Sequence, residues 1–84
     1  GGAVVWEFAC RGDGRIRAFM PIAGVWWRPM PTECRAPRRP MLHIHGLSDP
    51  VMPMEGRSVR DRWRQGDVRE AFATMRRLNA CEAT

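Results

Sequence analysis

The chain has 84 residues, enough for one small domain with a modest core, and 44% of them are hydrophobic, among them four Trp and three Phe. No apolar run approaches the roughly 18 residues that a membrane-spanning helix needs. The fourteen basic residues are all Arg and give a net charge of +5, but they are scattered from Arg11 to Arg77 rather than gathered on one element with interleaved aromatics, which argues against a nucleic-acid binder.

Ala3 to Cys10 is apolar almost all round, with Glu7 its one charge, and reads as a buried helix held by packing. Arg11-Gly12-Asp13-Gly14 is turn chemistry and ends it. Its Arg-Gly-Asp tripeptide is too short a match to carry an adhesion function. Arg17 to Gly24 has the length of a buried strand, with Pro21 near its end because proline removes a ladder donor. Val25 to Pro40 holds Pro29, Pro31, Pro37 and Pro40 and reads as a stiff loop. Met41 to His45 is the next strand. A short helical turn is expected near Ser58 to Trp63. Asp67 to Leu78 is the clearest helix. Val68, Ala71, Phe72, Met75 and Leu78 form one stripe, Asp67 and Glu70 resemble a capping box, and Arg76 and Arg77 suit the negative end.

The order helix, strand, loop, strand, loop, helix predicts an α/β fold with two parallel strands and flanking helices. Two strands leave both sheet edges open, so residues 1–84 are expected to be part of a larger domain.

The chemistry concentrates at Met41-Leu42-His43-Ile44-His45-Gly46-Leu47-Ser48-Asp49-Pro50. An acid just past the carboxyl end of a strand sits where open α/β sheets place functional groups. Asp49 there could orient a histidine during acyl transfer, or could cap its own loop before Pro50; spacing alone leaves both open. His43 and His45 share one face of the strand. Two histidines fall short of a metal site, so no metal is expected. His45 and Gly46 are expected to support the loop that presents Asp49. Ser48 lies beside the acid rather than on a strand–helix elbow and does not read as a nucleophile. Among the three cysteines, Cys10 sits in an apolar run, whereas Cys34 and Cys81 lie in polar surroundings where a Cys34–Cys81 disulfide is open to them.

Taken together these segments resemble the polyhydroxybutyrate depolymerase and feruloyl/acetylxylan esterase group of α/β hydrolases. Gly1-Gly2-Ala3 leading into Phe8-Ala9-Cys10 is similar to the family's Gly-x-Ser-x-Gly-Gly elbow and the helix ending Leu-Ala-Cys. Ala18 to Gly24 resembles the strand ending Pro-Val-Ala-Gly. Leu42-His43-Ile44-His45-Gly46-Leu47-Ser48-Asp49 resembles the strand and loop of the triad acid. Val51 to Gly56 resembles Val-x-Pro-Tyr-x-Gly, with Met54 in place of Tyr. Leu78-Asn79-Ala80-Cys81 is similar to Asn-Gly-Cys, with Ala80 in place of Gly. The resemblance covers nearly the whole chain, and its His-Gly-x-x-Asp segment is the most specific part.

The resemblance implies a partial α/β-hydrolase domain running from just after the elbow to past the acid loop. Asp49 would be the triad acid, Gly1 and Gly2 the remnant of the elbow, and the serine and histidine would lie outside these residues. The chain alone would then be inactive. The implied activity is serine carboxylic-ester hydrolysis without cofactor, on polyester or plant cell-wall esters. Its partners would be that substrate and the rest of its own domain, with no nucleic acid and no membrane. The implied location is extracellular or periplasmic, with a signal peptide outside these residues. A prolyl-oligopeptidase-like peptidase is the alternative within the same chemistry, and a small basic nucleic-acid-binding module the alternative outside it.

Overall fold

A computed structural model describes residues 1–81. In chain order its elements are helix α1 (Gly2–Arg11), strands β1 (Ser58–Val59) and β2 (Trp63–Arg64), and helix α2 (Val68–Leu78). The strands pair antiparallel, Ser58 opposite Arg64 and Val59 opposite Trp63. The expected α/β-hydrolase segment with two parallel strands is therefore not what forms: the architecture is two helices and a two-stranded antiparallel sheet.

The two segments expected as strands make only isolated parallel bridges, Phe19 with Met41 and Ile22 with Ile44. The Phe19 amide donates to Pro40, Leu42 to Phe19, Ile44 to Pro21, and Ala23 to Ile44. A continuous ladder needs the amide of residue 21 to reach the Leu42 carbonyl. Pro21 has no N–H, so the ladder breaks in its middle. Side chains still alternate: Pro21 is buried, and Met20, Ile22, Leu42 and Ile44 share the opposite, solvent-facing side with exposures of 48–63%.

Residues 58–64 also correct the expectation of a helical turn. They form a hairpin whose bend is closed by the Arg62 amide donating to the Val59 carbonyl at 3.2 Å. Arg60 and Asp61 both lie at φ 53°, the sense that matches strand twist in tight hairpins and is usually supplied by Asn-Gly. Nothing in Arg-Asp announces that turn.

The core is Trp6 and Cys10 of α1, Val25 and Trp26, and Val68, Ala71 and Met75 of α2. Trp6 and Trp26 meet edge to face with centroids 4.8 Å apart. The Trp26 indole N–H donates to the Trp6 carbonyl at 3.0 Å, which satisfies its one buried polar atom. α1 is thus not buried all round: Trp6 and Cys10, one turn apart, face inward while Val4 and Phe8 are exposed.

α2 begins one residue inside the expected span. The Asp67 carboxylate accepts from the Glu70 amide at 3.0 Å. The reciprocal half of a capping box is missing because Glu70 turns outward to take Arg28 in a two-pronged ion pair at 3.2 and 2.6 Å. At the far end Asn79 caps the helix and Ala80 follows at φ 52°.

The disulfide joins Cys10 to Cys34, and Cys81 is a free, exposed thiol. The Cys34–Cys81 pairing that the sequence left open is therefore not the one that forms. Cys10 points to the same inner side of α1 as Trp6, where the loop after Met30 crosses, and the Ala36 amide donates to the Cys10 carbonyl at 3.0 Å. The polar surroundings of Cys81 reflect solvent, not proximity to Cys34. No helix is long and apolar enough to cross a membrane among the described residues.

Candidate functional site

The loop from Gly46 to Pro53 is built around Asp49. The Asp49 amide donates to the Gly46 carbonyl at 3.3 Å, closing a four-residue turn through Leu47 and Ser48. One carboxylate oxygen, Oδ1, then accepts from the Val51 amide at 2.9 Å and the Met52 amide at 3.0 Å. The other, Oδ2, has no hydrogen-bond partner among the described residues. The amides of Met52 and then Val51 hold the carboxyl below its ordinary range, and His45 acts in the same sense. The acid is therefore ionised, fixed through one oxygen and open through the other.

The loop is secured from two sides. Gln65, at the end of the hairpin and 3% exposed, donates its amide N–H to the Val51 carbonyl at 3.0 Å. The Arg57 guanidinium donates to the same carbonyl at 2.9 Å. The Gln65 carbonyl oxygen is buried without a partner, so this residue keeps its loop contact at a cost in desolvation.

On the other side stand the two histidines. The Trp6 indole N–H donates to His43 Nδ1 at 3.0 Å. His43 Nε2 and His45 Nδ1 are 3.0 Å apart, and His45 Nε2 faces the Met52 carbonyl. An indole can only donate and a carbonyl can only accept, so the direction is fixed: both rings are Nε2–H tautomers. Burial first, and then the neighbouring His45, push the His43 imidazole down to about 4, so it is neutral at pH 7. His43 packs edge-on against Trp6 and Phe72, and its ring stacks on His45.

Beside His43 opens a cleft of about 580 Å³ with Trp6, Leu42, Phe72 and Met75 among its apolar walls and Arg76 on its rim. Asp49 does not line it. The chemistry of Asp49, not cavity size, marks the site.

His45 and Gly46 sit where a support for the acid loop would be, His45 through Met52 and Gly46 through its carbonyl. Asp49 and His45 make no direct hydrogen bond among the described residues, and Ser48 is an exposed turn residue. Gly1 and Gly2 lie at the start of α1, where Gly2 packs on the backbone of Ile22 and Gly24. No group of three or more His, Cys, Asp or Glu converges as a metal site among the described residues. Trp6, Arg57 and Gln65 were not legible as parts of the loop's support. Only the i, i+2 spacing of the two histidines carried a signal.

No protein-family model, no curated protein and no solved structure matches the chain.

Proposed function

We propose that this chain supplies the acid of a serine carboxylic-ester hydrolase acting on polyester, feruloyl or acetyl esters. Asp49 is the acid, and the serine and histidine come from residues outside 1–84. The reading rests on one observation above the others: Asp49 is held by two amides through Oδ1 while Oδ2 is left open. That is what an acid needs in order to take an imidazole N–H without swinging away. The likeness of His45-Gly46-Leu47-Ser48-Asp49 to the esterases' acid loop supports it. In the reaction, Asp49 would fix the tautomer of the incoming histidine and stabilise its protonated form while serine attacks the ester carbonyl. The chain's own histidines do not fill that role, since each ring has both nitrogens engaged.

The test joins the chain to its flanking coding sequence and follows hydrolysis of p-nitrophenyl acetate and butyrate. Asp49→Asn should lower kcat by up to about 10⁴ with circular dichroism unchanged, whereas Asp13→Asn and Asp61→Asn should leave it near normal. Near-normal kcat in folded Asp49→Asn would reduce Asp49 to a loop cap.

A further inference from the structure

The cleft beside His43 has apolar walls and one permanently charged group. Trp6, Leu42, Phe72 and Met75 supply the walls, Arg76 supplies the charge, and no carboxylate lines the cleft among the described residues. We propose that this cleft binds an amphiphilic carboxylate, an aryl or alkyl chain ending in one carboxyl group. The chain lies against the walls and the carboxylate meets Arg76. The proposal does not rest on the esterase reading, because Asp49 does not line the cleft.

Size and apolarity set the body of the ligand. A volume of about 580 Å³ falls inside the range of roughly 300–1,000 Å³ in which clefts enclose small organic molecules. Two of its walls are still in contact with water, Leu42 at 63% exposure and Phe72 at 39%. Covering them removes apolar area from solvent, which is the main source of affinity for a hydrocarbon or aromatic chain.

The polar groups select the head. The Arg76 side chain is exposed and makes no ion pair among the described residues, while the α2 carboxylate of Glu70 is taken by Arg28. A guanidinium grips a carboxylate through two parallel N–H bonds and has no such match for a neutral amide or a second cation. His43 adds neither charge nor a free nitrogen. Burial and then His45 keep it neutral at pH 7, and Trp6 and His45 occupy its two ring nitrogens. The Asn79 amide group donates to the Arg39 carbonyl at 2.8 Å. The end of α2 lies along the same cleft, but the Met75, Arg76 and Arg77 carbonyls accept from the Asn79, Cys81 and Ala80 amides. Those last carbonyls are satisfied rather than bare, so they oppose an incoming anion less.

The experiment is an NMR titration of the disulfide-intact chain, ¹³C-labelled at its methionine methyls, with 4-phenylbutyrate at about pH 7.5, where His43 is neutral. The six methionines provide the control. Met41 and Met75 line the cleft, whereas Met20, Met30, Met52 and Met54 do not. The first two methyls should shift and saturate together, with a Kd on the order of 1 mM for a ligand of this size, and the other four should stay in place. The neutral 4-phenylbutanamide should bind wild type about 2- to 5-fold more weakly, the range of an exposed ion pair. Arg76→Gln should bind acid and amide alike, and Arg76→Lys should keep a preference for the acid. Leu42→Glu places a carboxylate at an exposed wall and should weaken the acid more than the amide. Silent Met41 and Met75 methyls would overturn the proposal. So would equal binding of acid and amide by wild type, or an undiminished preference for the acid in Arg76→Gln whose circular dichroism is unchanged. Shifts of the same two methyls with chain concentration alone would also overturn it, in favour of a second copy of the chain as occupant. None of these outcomes bears on the ester assay, which judges Asp49 separately.

Discussion

Gly2 and Gly24 meet backbone to backbone. A methyl group on Gly2 would lie 2.7 Å from the Gly24 nitrogen, and one on Gly24 would lie 2.8 Å from the Ala3 nitrogen. The atoms in the way are main chain, so no side chain can turn aside to make room. This contact sets how the start of α1 sits on the segment that leads into Val25 and Trp26.

Gly24→Ala should accordingly push α1 outward and lower stability by about 1–3 kcal/mol, the usual cost of overpacking. Gly1→Ala, with nothing within 4 Å of the added atom, should leave the melting temperature where it is. Thermal melts followed by circular dichroism compare the two directly. Equal melts for both would mean that the glycine contact carries no constraint.

Ala80 offers a gain. The Cys81 amide donates to the Arg76 carbonyl at 2.9 Å and the Ala80 amide to Arg77 at 3.2 Å, the paired bonds that close a helix on a left-handed residue. Ala80 takes that conformation at φ 52°, where its Cβ is strained and glycine is not. Ala80→Gly should stabilise the fold by about 1 kcal/mol, or roughly 4–8 °C for a domain this size. An unchanged or lower melting temperature would contradict the assignment.

The cysteine pairing gives a chemical test. Native chain should react with Ellman's reagent at one thiol, Cys81, and the reduced chain at all three; peptide mapping should recover Cys10 joined to Cys34. The bridge spans a sequence separation of 24. Its loss through Cys10→Ala with Cys34→Ala should cost about 3.5 kcal/mol by the loop-closure argument. Recovery of a Cys34–Cys81 peptide would reverse the assignment.

Stability should also depend on pH in a definite sense. His43 in the fold sits at about 4, and in the unfolded chain near its ordinary value of about 6.5. Between these values the unfolded chain holds more protons, so stability is highest above about 6.5 and falls as the pH drops toward 4. Asp49, held below its ordinary value, adds loss at the acid end as the pH falls through that lower range. His43→Gln should flatten the slope between pH 6.5 and 4 in urea-unfolding midpoints while leaving the acid end in place. An equal slope in both proteins would remove His43 as the cause.

How much of this was readable in the residues depended on how local the cause is. α2 was legible because its stripe and its Asp67 cap act within one helix. Pro21 was flagged as a poor strand residue, and its missing N–H is what reduces the parallel pairing to two bridges. The hairpin at 58–64 escaped notice because Arg60 and Asp61 adopt a conformation that their side chains disfavour, held there by pairing on either side. The cysteine partners could not be read from the sequence because they depend on where the loop after Met30 crosses α1. Asp49 could be singled out as a loop acid, but its fixation through one oxygen could not. Trp6 lies 37 residues from the histidine it binds, and nothing in either segment announces the other.

The four apolar side chains that share the outward side of the bridged segments, Met20, Ile22, Leu42 and Ile44, bear on how the chain behaves as it is made. Folding is first order in chain, whereas sticking to a neighbour through such a patch is second order, so the balance between them moves with concentration. Dilution favours the single folded molecule. Crowding many nascent copies together favours clusters, and replacing Ile22 and Leu42 by threonine would shift that crossover to higher concentration without touching the core.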